Sequence, residues 1–161
     1  MILILMGVAG SGKTTLGKKL AEKLDWLFLE GDDFHSDANK MKMGAGIPLT
    51  EEDRLPWLKA IGGEINRLAS ENINAVLACS ALKESYRAQL SRQAPVRWVY
   101  LKGSGELIRR RLEDRKGHFM KPELLDSQFS ILEEPQQAIV VDIRMEPDKL
   151  IQLLVDQLKG T

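Results

Sequence analysis

Cysteine is almost missing: Cys79 is the only one among 161 residues. The chain can close no internal disulfide, which suits a reducing cytosol. Net charge is missing too. Lys and Arg number 23 and Asp and Glu 23, so no global field draws the chain to nucleic acid or to an anionic membrane. There is no apolar stretch of the ~20 residues that a membrane-spanning helix needs. The apolar start, residues 1–6, has no basic flank and stops at Gly7; it is too short for a signal peptide and reads as a buried strand. Internal repeats, low-complexity tracts and dividing linkers are likewise absent. These absences exclude disulfide-stapled, fibrous, disordered and membrane-spanning classes. They leave the expectation of one soluble, cytoplasmic domain over residues 1–161, long enough to build a substantial core.

What is present is an alternation. Strand-like apolar segments fall at residues 2–6, 26–29, 75–79, 96–101 and 138–143. Helical patterns lie at 14–24, 54–71, 83–91, 104–115, 122–132 and 147–158. In the first of these, Leu16, Leu20, Ala21 and Leu24 form one stripe with lysines opposite,. Short apolar strands alternating with helices predict a three-layer α/β domain with a mostly parallel sheet. Residues 36–50, rich in glycine and lysine, and residues 116–121 fit neither pattern and read as functional loops.

The segment Gly7-Val8-Ala9-Gly10-Ser11-Gly12-Lys13-Thr14 matches G-x-x-x-x-G-K-[ST] between a predicted strand and a predicted helix, the context that gives this phosphate-binding motif its meaning. Gly7, Gly10 and Gly12 let the backbone curl until successive N–H groups point inward, with Ser11 in the curl. The helix that follows presents its free N–H donors and positive dipole end at Thr14 and Thr15. Lys13 is placed to reach the β- and γ-phosphates of ATP, and the Thr14 hydroxyl to ligate Mg²⁺.

Two further clusters select among P-loop proteins. Glu30-Gly31-Asp32-Asp33 follows the second strand, at the carboxyl end that faces the ligand crevice of an open α/β sheet. Asp32, ahead of Asp33, is the expected base for an acceptor hydroxyl or an Mg²⁺ holder through water. The third strand ends Ala78-Cys79-Ser80, without the aspartate of a Walker B motif, which disfavours a switch GTPase or a motor ATPase. Residues 102–121 carry seven Lys/Arg against three acids. Arg111 and Arg115 share a helix face just before a glycine, as expected of a lid delivering arginines over a transferring phosphate. Phe119 is the only aromatic in that stretch, too little stacking surface for RNA. Cys79 reads as an inert core residue and Trp57 as packing; residues 41–43 either line the acceptor pocket or cover it.

These motifs resemble the gluconate kinase family. The resemblance runs through Gly7–Thr14, Glu30-Gly31-Asp32-Asp33-Phe34-His35, Lys40-Met41, Gly46-Ile47-Pro48-Leu49-Thr50 and Asp53-Arg54-Leu55-Pro56-Trp57-Leu58. It continues in Cys79-Ser80-Ala81-Leu82-Lys83, Tyr86-Arg87, Arg115-Lys116-Gly117-His118-Phe119-Met120, Ser127-Gln128-Phe129 and Leu132-Glu133-Glu134-Pro135. Two departures, Glu30 and Glu134, fall on no residue assigned to chemistry. The resemblance implies a fold like that of the nucleoside monophosphate kinases, with a five-stranded parallel sheet. It also implies an acceptor-binding region at about residues 34–71, a lid at about residues 112–126, and a homodimer. The implied reaction is Mg²⁺-dependent transfer from ATP to D-gluconate, giving 6-phospho-D-gluconate. Lys13, Asp32 and Arg115 then carry the chemistry, and Arg54 is the expected partner of the gluconate carboxylate. His35, Ser80, Lys83, Arg87, His118 and Gln128 are the remaining candidate acceptor contacts, and Arg111 a candidate ATP contact. Two alternatives stay open: a P-loop kinase of another small acceptor, similar to shikimate or adenylylsulfate kinases, and a non-catalytic module that binds ATP.

Overall fold

The computed structural model describes residues 1–115 and 122–160. Five strands, β1 (Ile2–Met6), β2 (Leu27–Glu30), β3 (Ala75–Ala78), β4 (Val96–Lys102) and β5 (Ile139–Asp142), form one sheet in the order β2-β3-β1-β4-β5. All four pairings are parallel, with Ile2 opposite Ala75 on one side and Val96 on the other. The central strand β1 is buried along its whole length. That is what a continuous apolar run requires when helices cover both faces.

Side chains alternate across a strand, and β1 divides its own between two cores. Leu3 and Leu5 point to one face. There they meet Leu16 and Leu20 of α1 (Lys13–Leu24), Ile108 of α5 (Gly105–Asp114) and Leu150 and Leu154 of α7 (Pro147–Lys159). Ile2, Ile4 and Met6 point to the other. They pack with Trp57, Leu58, Ile61 and Ile65 of α3 (Glu51–Ser70) and with Tyr86 and Leu90 of α4 (Glu84–Ser91). The three layers expected from the sequence are present, and every crossover returns the chain to the same edge. The carboxyl ends of β1, β2 and β3 therefore open together onto one cleft.

Two helices differ from expectation by more than a residue at either end. Residues 37–44 form a helix, α2 (Asp37–Gly44), capped by the Ser36 hydroxyl, which accepts from Asn39 N at 3.1 Å. Its only buried residue is the polar Asn39, so no apolar stripe announced it. Helix α3 begins three residues earlier than the pattern suggests. Thr50 and Asp53 close a capping box in which Thr50 Oγ1 accepts from Asp53 N and Asp53 Oδ2 from Thr50 N,. The first turn is acidic, with Glu51, Glu52 and Asp53 complementing the helix dipole,. Arg54 thus stands beyond that turn, not at the start of the helix. One further helix, α6 (Pro122–Ile131), lies between α5 and β5.

Candidate active site

The phosphate-binding loop leaves β1 at Gly7 and enters α1 at Lys13. Gly7, Gly10 and Gly12 all take positive φ, the conformations that turn successive N–H groups inward. At Gly7 the need is steric as well. A Cβ there would meet Ser11 Oγ at 2.9 Å and the Leu101 carbonyl at 3.0 Å. The Ser11 hydroxyl is buried, with no hydrogen-bond partner among the described residues. Lys13 Nζ donates to the Gly7 and Val8 carbonyls at 2.9 Å each. Burial pushes its ammonium below the ordinary lysine pKa, and the Asp32 and Glu30 carboxylates pull it back up,. An arriving polyphosphate would favour the charged form further.

The Thr14 hydroxyl donates to the Glu30 carboxylate. The same carboxylate caps the short 3₁₀ turn at Gly31–Phe34 by accepting from Asp32 N. In the sequence Glu30 stands only as a departure from a family pattern, with no place in the site, because the acid of a P-loop protein is looked for at the end of β3. Since β2 lies beside β3, an acid at the end of β2 reaches the same hydroxyl. Gly31 makes this placement possible, because a Cβ there would lie 2.4 Å from the Ala78 carbonyl. The 3₁₀ turn therefore sits hard against β3, with Asp32 directed to the cleft.

Beside the loop, the cleft is lined by Lys13, Asp32, His35, Arg54, Ser80 and Gln128, with apolar walls from Met43, Leu49, Trp57 and Leu124. Six residues proposed from sequence are brought together there, from β2's end, α1, α3, the β3–α4 loop and α6. A wider groove of about 930 Å³ lies between α4 and the β4–β5 edge, but it contains no phosphate loop. Arg54 lies across the Tyr86 ring at 5.9 Å, with Nη1 3.4 Å from its hydroxyl and 3.8 Å from Glu51. The His35 imidazole stacks on Trp57 with centroids 4.4 Å apart. Trp57 Nε1 donates to the Gly31 carbonyl at 2.8 Å. Trp57 thus packs, as expected, and also ties α3 to the turn that carries Asp32. Gln128 Oε1 accepts from Ala9 N at 2.7 Å, a direct link between α6 and the phosphate loop.

Several expected contacts are placed elsewhere. Arg87 is buried, and all five of its N–H groups are engaged: Nε and Nη2 on Glu84, Nη1 on the Ala81 and Leu82 carbonyls, Nη2 also on the Glu133 carbonyl. Arg87, expected as an acceptor contact, lies outside the cleft lining with every donor engaged, and here it clamps the loop that carries Ser80. That loop needs a clamp, since Ala81 is held at φ 42, a costly conformation outside glycine. Lys83 lies outside the cleft lining and pairs with Glu51 at 2.6 Å; Glu51 in turn accepts from the Tyr86 hydroxyl at 2.7 Å. Arg111 donates to the Ile143 carbonyl at 2.6 Å, and Arg115 ends α5 as an exposed residue away from the cleft lining. Thr15 is exposed in the first turn of α1. His118, with the middle of the expected lid, lies outside the described residues. Cys79 is buried, and burial together with the Asp32 charge raises its thiol pKa to about 12. It is an inert core residue.

Among the described residues no three His, Cys, Asp or Glu side chains form a metal cage. Thr14 and Glu30, with Asp32 beyond, are oxygen donors of the kind that Mg²⁺ takes beside phosphate oxygens and waters,. No helix among the described residues is long and apolar enough to cross a membrane.

Comparison with known proteins agrees with this geometry. A family model described as an AAA domain matches residues 2–135. A probable gluconokinase of Rattus norvegicus is 44% identical over 175 residues, covering 97% of this chain and 90% of its own length. The thermosensitive gluconokinase of Escherichia coli is 47% identical over 134 residues, covering 83% and 72%. Among solved structures, a gluconokinase from Sinorhizobium meliloti superposes with a TM-score of 0.84 at 39% identity, covering 98% of this chain and 95% of that one. An unliganded sugar kinase from Janibacter reaches 0.91 at 40% identity, with 98% and 94% covered. The adenylylsulfate (APS) kinase of Mycobacterium tuberculosis shares the fold alone, at 16% identity with a TM-score of 0.69 over 98% and 96%.

Proposed function

This chain belongs to the gluconokinase family, and we infer from its cleft how it phosphorylates D-gluconate at the expense of ATP to give 6-phospho-D-gluconate. The observation that carries the inference is the convergence of Lys13, Asp32, Arg54, His35 and Ser80 on one cleft beside the phosphate loop. A linear acceptor with a carboxylate at one end and a primary hydroxyl at the other matches that arrangement. Arg54 takes the carboxylate, His35 and Ser80 hold intermediate hydroxyls, and Asp32 faces the terminal one. Asp32 orients that hydroxyl and accepts its proton as the oxygen attacks the γ-phosphorus. Lys13 leaves the Gly7 and Val8 carbonyls for the phosphates and neutralises charge developing on the transferred group.

Thr14 would hold the Mg²⁺ of the nucleotide, with Glu30 and Asp32 as further oxygen donors, and when bound it would supply charge neutralisation across the phosphates. The roles of Arg115 and Arg111 and the lid at about residues 112–126 rest on their spacing ahead of a glycine and on the family resemblance, and those of His118 and Lys83 on the resemblance. A homodimeric assembly rests on the resemblance as well, and a cytosolic location on the single cysteine,. The acceptor region at residues 34–71 has support from the cleft, which takes His35, Met43, Leu49, Arg54 and Trp57 from it.

The test is ADP release from Mg-ATP alone and with D-gluconate, shikimate, adenylylsulfate or neutral sugars, with Lys13→Ala as the blank. Stimulation by gluconate alone is expected. Stimulation by another acceptor and not by gluconate would retract the acceptor, and ATP binding without turnover on any of them would make the chain a nucleotide-binding module.

A further inference from the structure

His35 lines the acceptor cleft, but the groups that fix its ring lie behind it. Asn39 of α2 is buried at 5% exposure, the one buried residue of that helix. Its Nδ2 donates to the Asp53 carbonyl at 2.8 Å and stands 3.3 Å from His35 Nδ1. An amide NH₂ has two hydrogens and no lone pair to offer, and a carbonyl can only accept. Turning the amide over would set Oδ1 against the Asp53 carbonyl, acceptor against acceptor. One hydrogen is therefore on Asp53 and the other points at Nδ1, which must be the unprotonated nitrogen of a neutral ring. The flat stack on Trp57, with 11° between planes, fixes the ring's plane, and the Trp57 bond to Gly31 fixes the indole. Among the described residues Nε2 has no partner.

We propose that Asn39 is a positioning residue that locks His35 in the Nε2–H tautomer, so that the cleft presents a hydrogen-bond donor to an acceptor hydroxyl oxygen and leaves proton acceptance to Asp32. The proposal rests on the gluconokinase reading for the identity of that acceptor. It separates two roles which a free imidazole would confuse. With its proton on Nδ1, His35 would turn a lone pair toward the acceptor and compete with Asp32 for the same hydroxyl proton. The charged groups around the ring are Asp32 from the 3₁₀ turn, Lys40 from α2 and Arg54 from α3. Burial lowers the His35 pKa, Arg54 and Lys40 lower it further, and Asp32 opposes them; the neutral ring itself is required by the two hydrogens of the Asn39 amide.

Histidine-selective ¹⁵N NMR reads the tautomer directly, because the chain has two histidines and a His118→Gln variant assigns them. The full-length wild type should show a pyridine-type Nδ1 and a pyrrole-type Nε2 for His35. In Asn39→Asp an acceptor-only carboxylate faces Nδ1, and the proton should move to Nδ1. The gluconate KM should then rise about tenfold, the scale of one hydrogen bond, with the ATP KM unchanged. A wild-type proton on Nδ1 would overturn the proposal, and so would a reversed tautomer in Asn39→Asp with an unchanged gluconate KM. The wild-type spectrum decides even if the variant does not fold. It also stands apart from the acceptor assay, where absence of gluconate turnover would sink the family-based reading and leave the tautomer measured.

Discussion

At the scale of single residues, the chemistry depends on where charge is left uncompensated. Lys13 and Asp32 face one another's fields in a partly desolvated cleft, and each is assigned a task in the transition state. Lys13→Ala and Asp32→Asn should each lower steady-state turnover by at least ~10²-fold. Near-normal ADP release from Asp32→Asn would remove Asp32 from the base role. Glu30 has a different signature. Its carboxylate holds the Thr14 hydroxyl, so Glu30→Gln should raise the Mg²⁺ concentration needed for half-maximal activity about tenfold, with the gluconate KM little changed. A Mg²⁺ titration at fixed ATP checks this, and an unshifted midpoint would leave Glu30 a mere cap on the turn that follows it.

Elements acquire their places through caps and clamps rather than through apolar faces alone. The start of α3 is held by Asp53, whose carboxylate takes both the Lys42 ammonium and Thr50 N. The Lys42 bond is the larger cause of a pKa lowered from 3.8 to about 2. A carboxylate depressed in the folded state stabilises the protein above its unfolded pKa, and that stability is lost as pH falls through the folded value. The wild type should therefore lose stability between roughly pH 4 and pH 2 through this group. Asp53→Asn should be less stable at neutral pH and flatter across that window in acid-dependent urea unfolding. The loop after β3 depends on Arg87 in the same way. Arg87→Leu leaves three carbonyls without their donor, so it should lower unfolding free energy by about 3 kcal/mol. It should also raise the gluconate KM through Ser80. An unaltered urea midpoint would deny Arg87 its role as a clamp.

For the molecule as a whole, the decisive relation is between the sheet and the cleft at its carboxyl edge. Gly31→Ala tests it, since a methyl 2.4 Å from the Ala78 carbonyl has to part β3 from the turn carrying Asp32. Both the thermal midpoint and turnover should fall, and a variant matching the wild type in both would show that the turn sits there for another reason. The sequence by itself determined the layers, the five strands and the phosphate loop. Those depend on local patterns: an apolar run ending in glycines, stripes at helical spacing, a motif whose backbone conformations need glycine. It also carried the family, through segments spread along the chain. Which neighbours those segments meet was decided by tertiary structure. Arg87 and Arg54 look alike as arginines beside motifs, yet one is consumed by main-chain carbonyls and the other faces the cleft. Asn39 left no pattern to read, and Glu30 stood in an acidic cluster that did not show its partner, because a buried amide and a carboxylate acting across strands are defined by partners that lie far away in the chain or on another element.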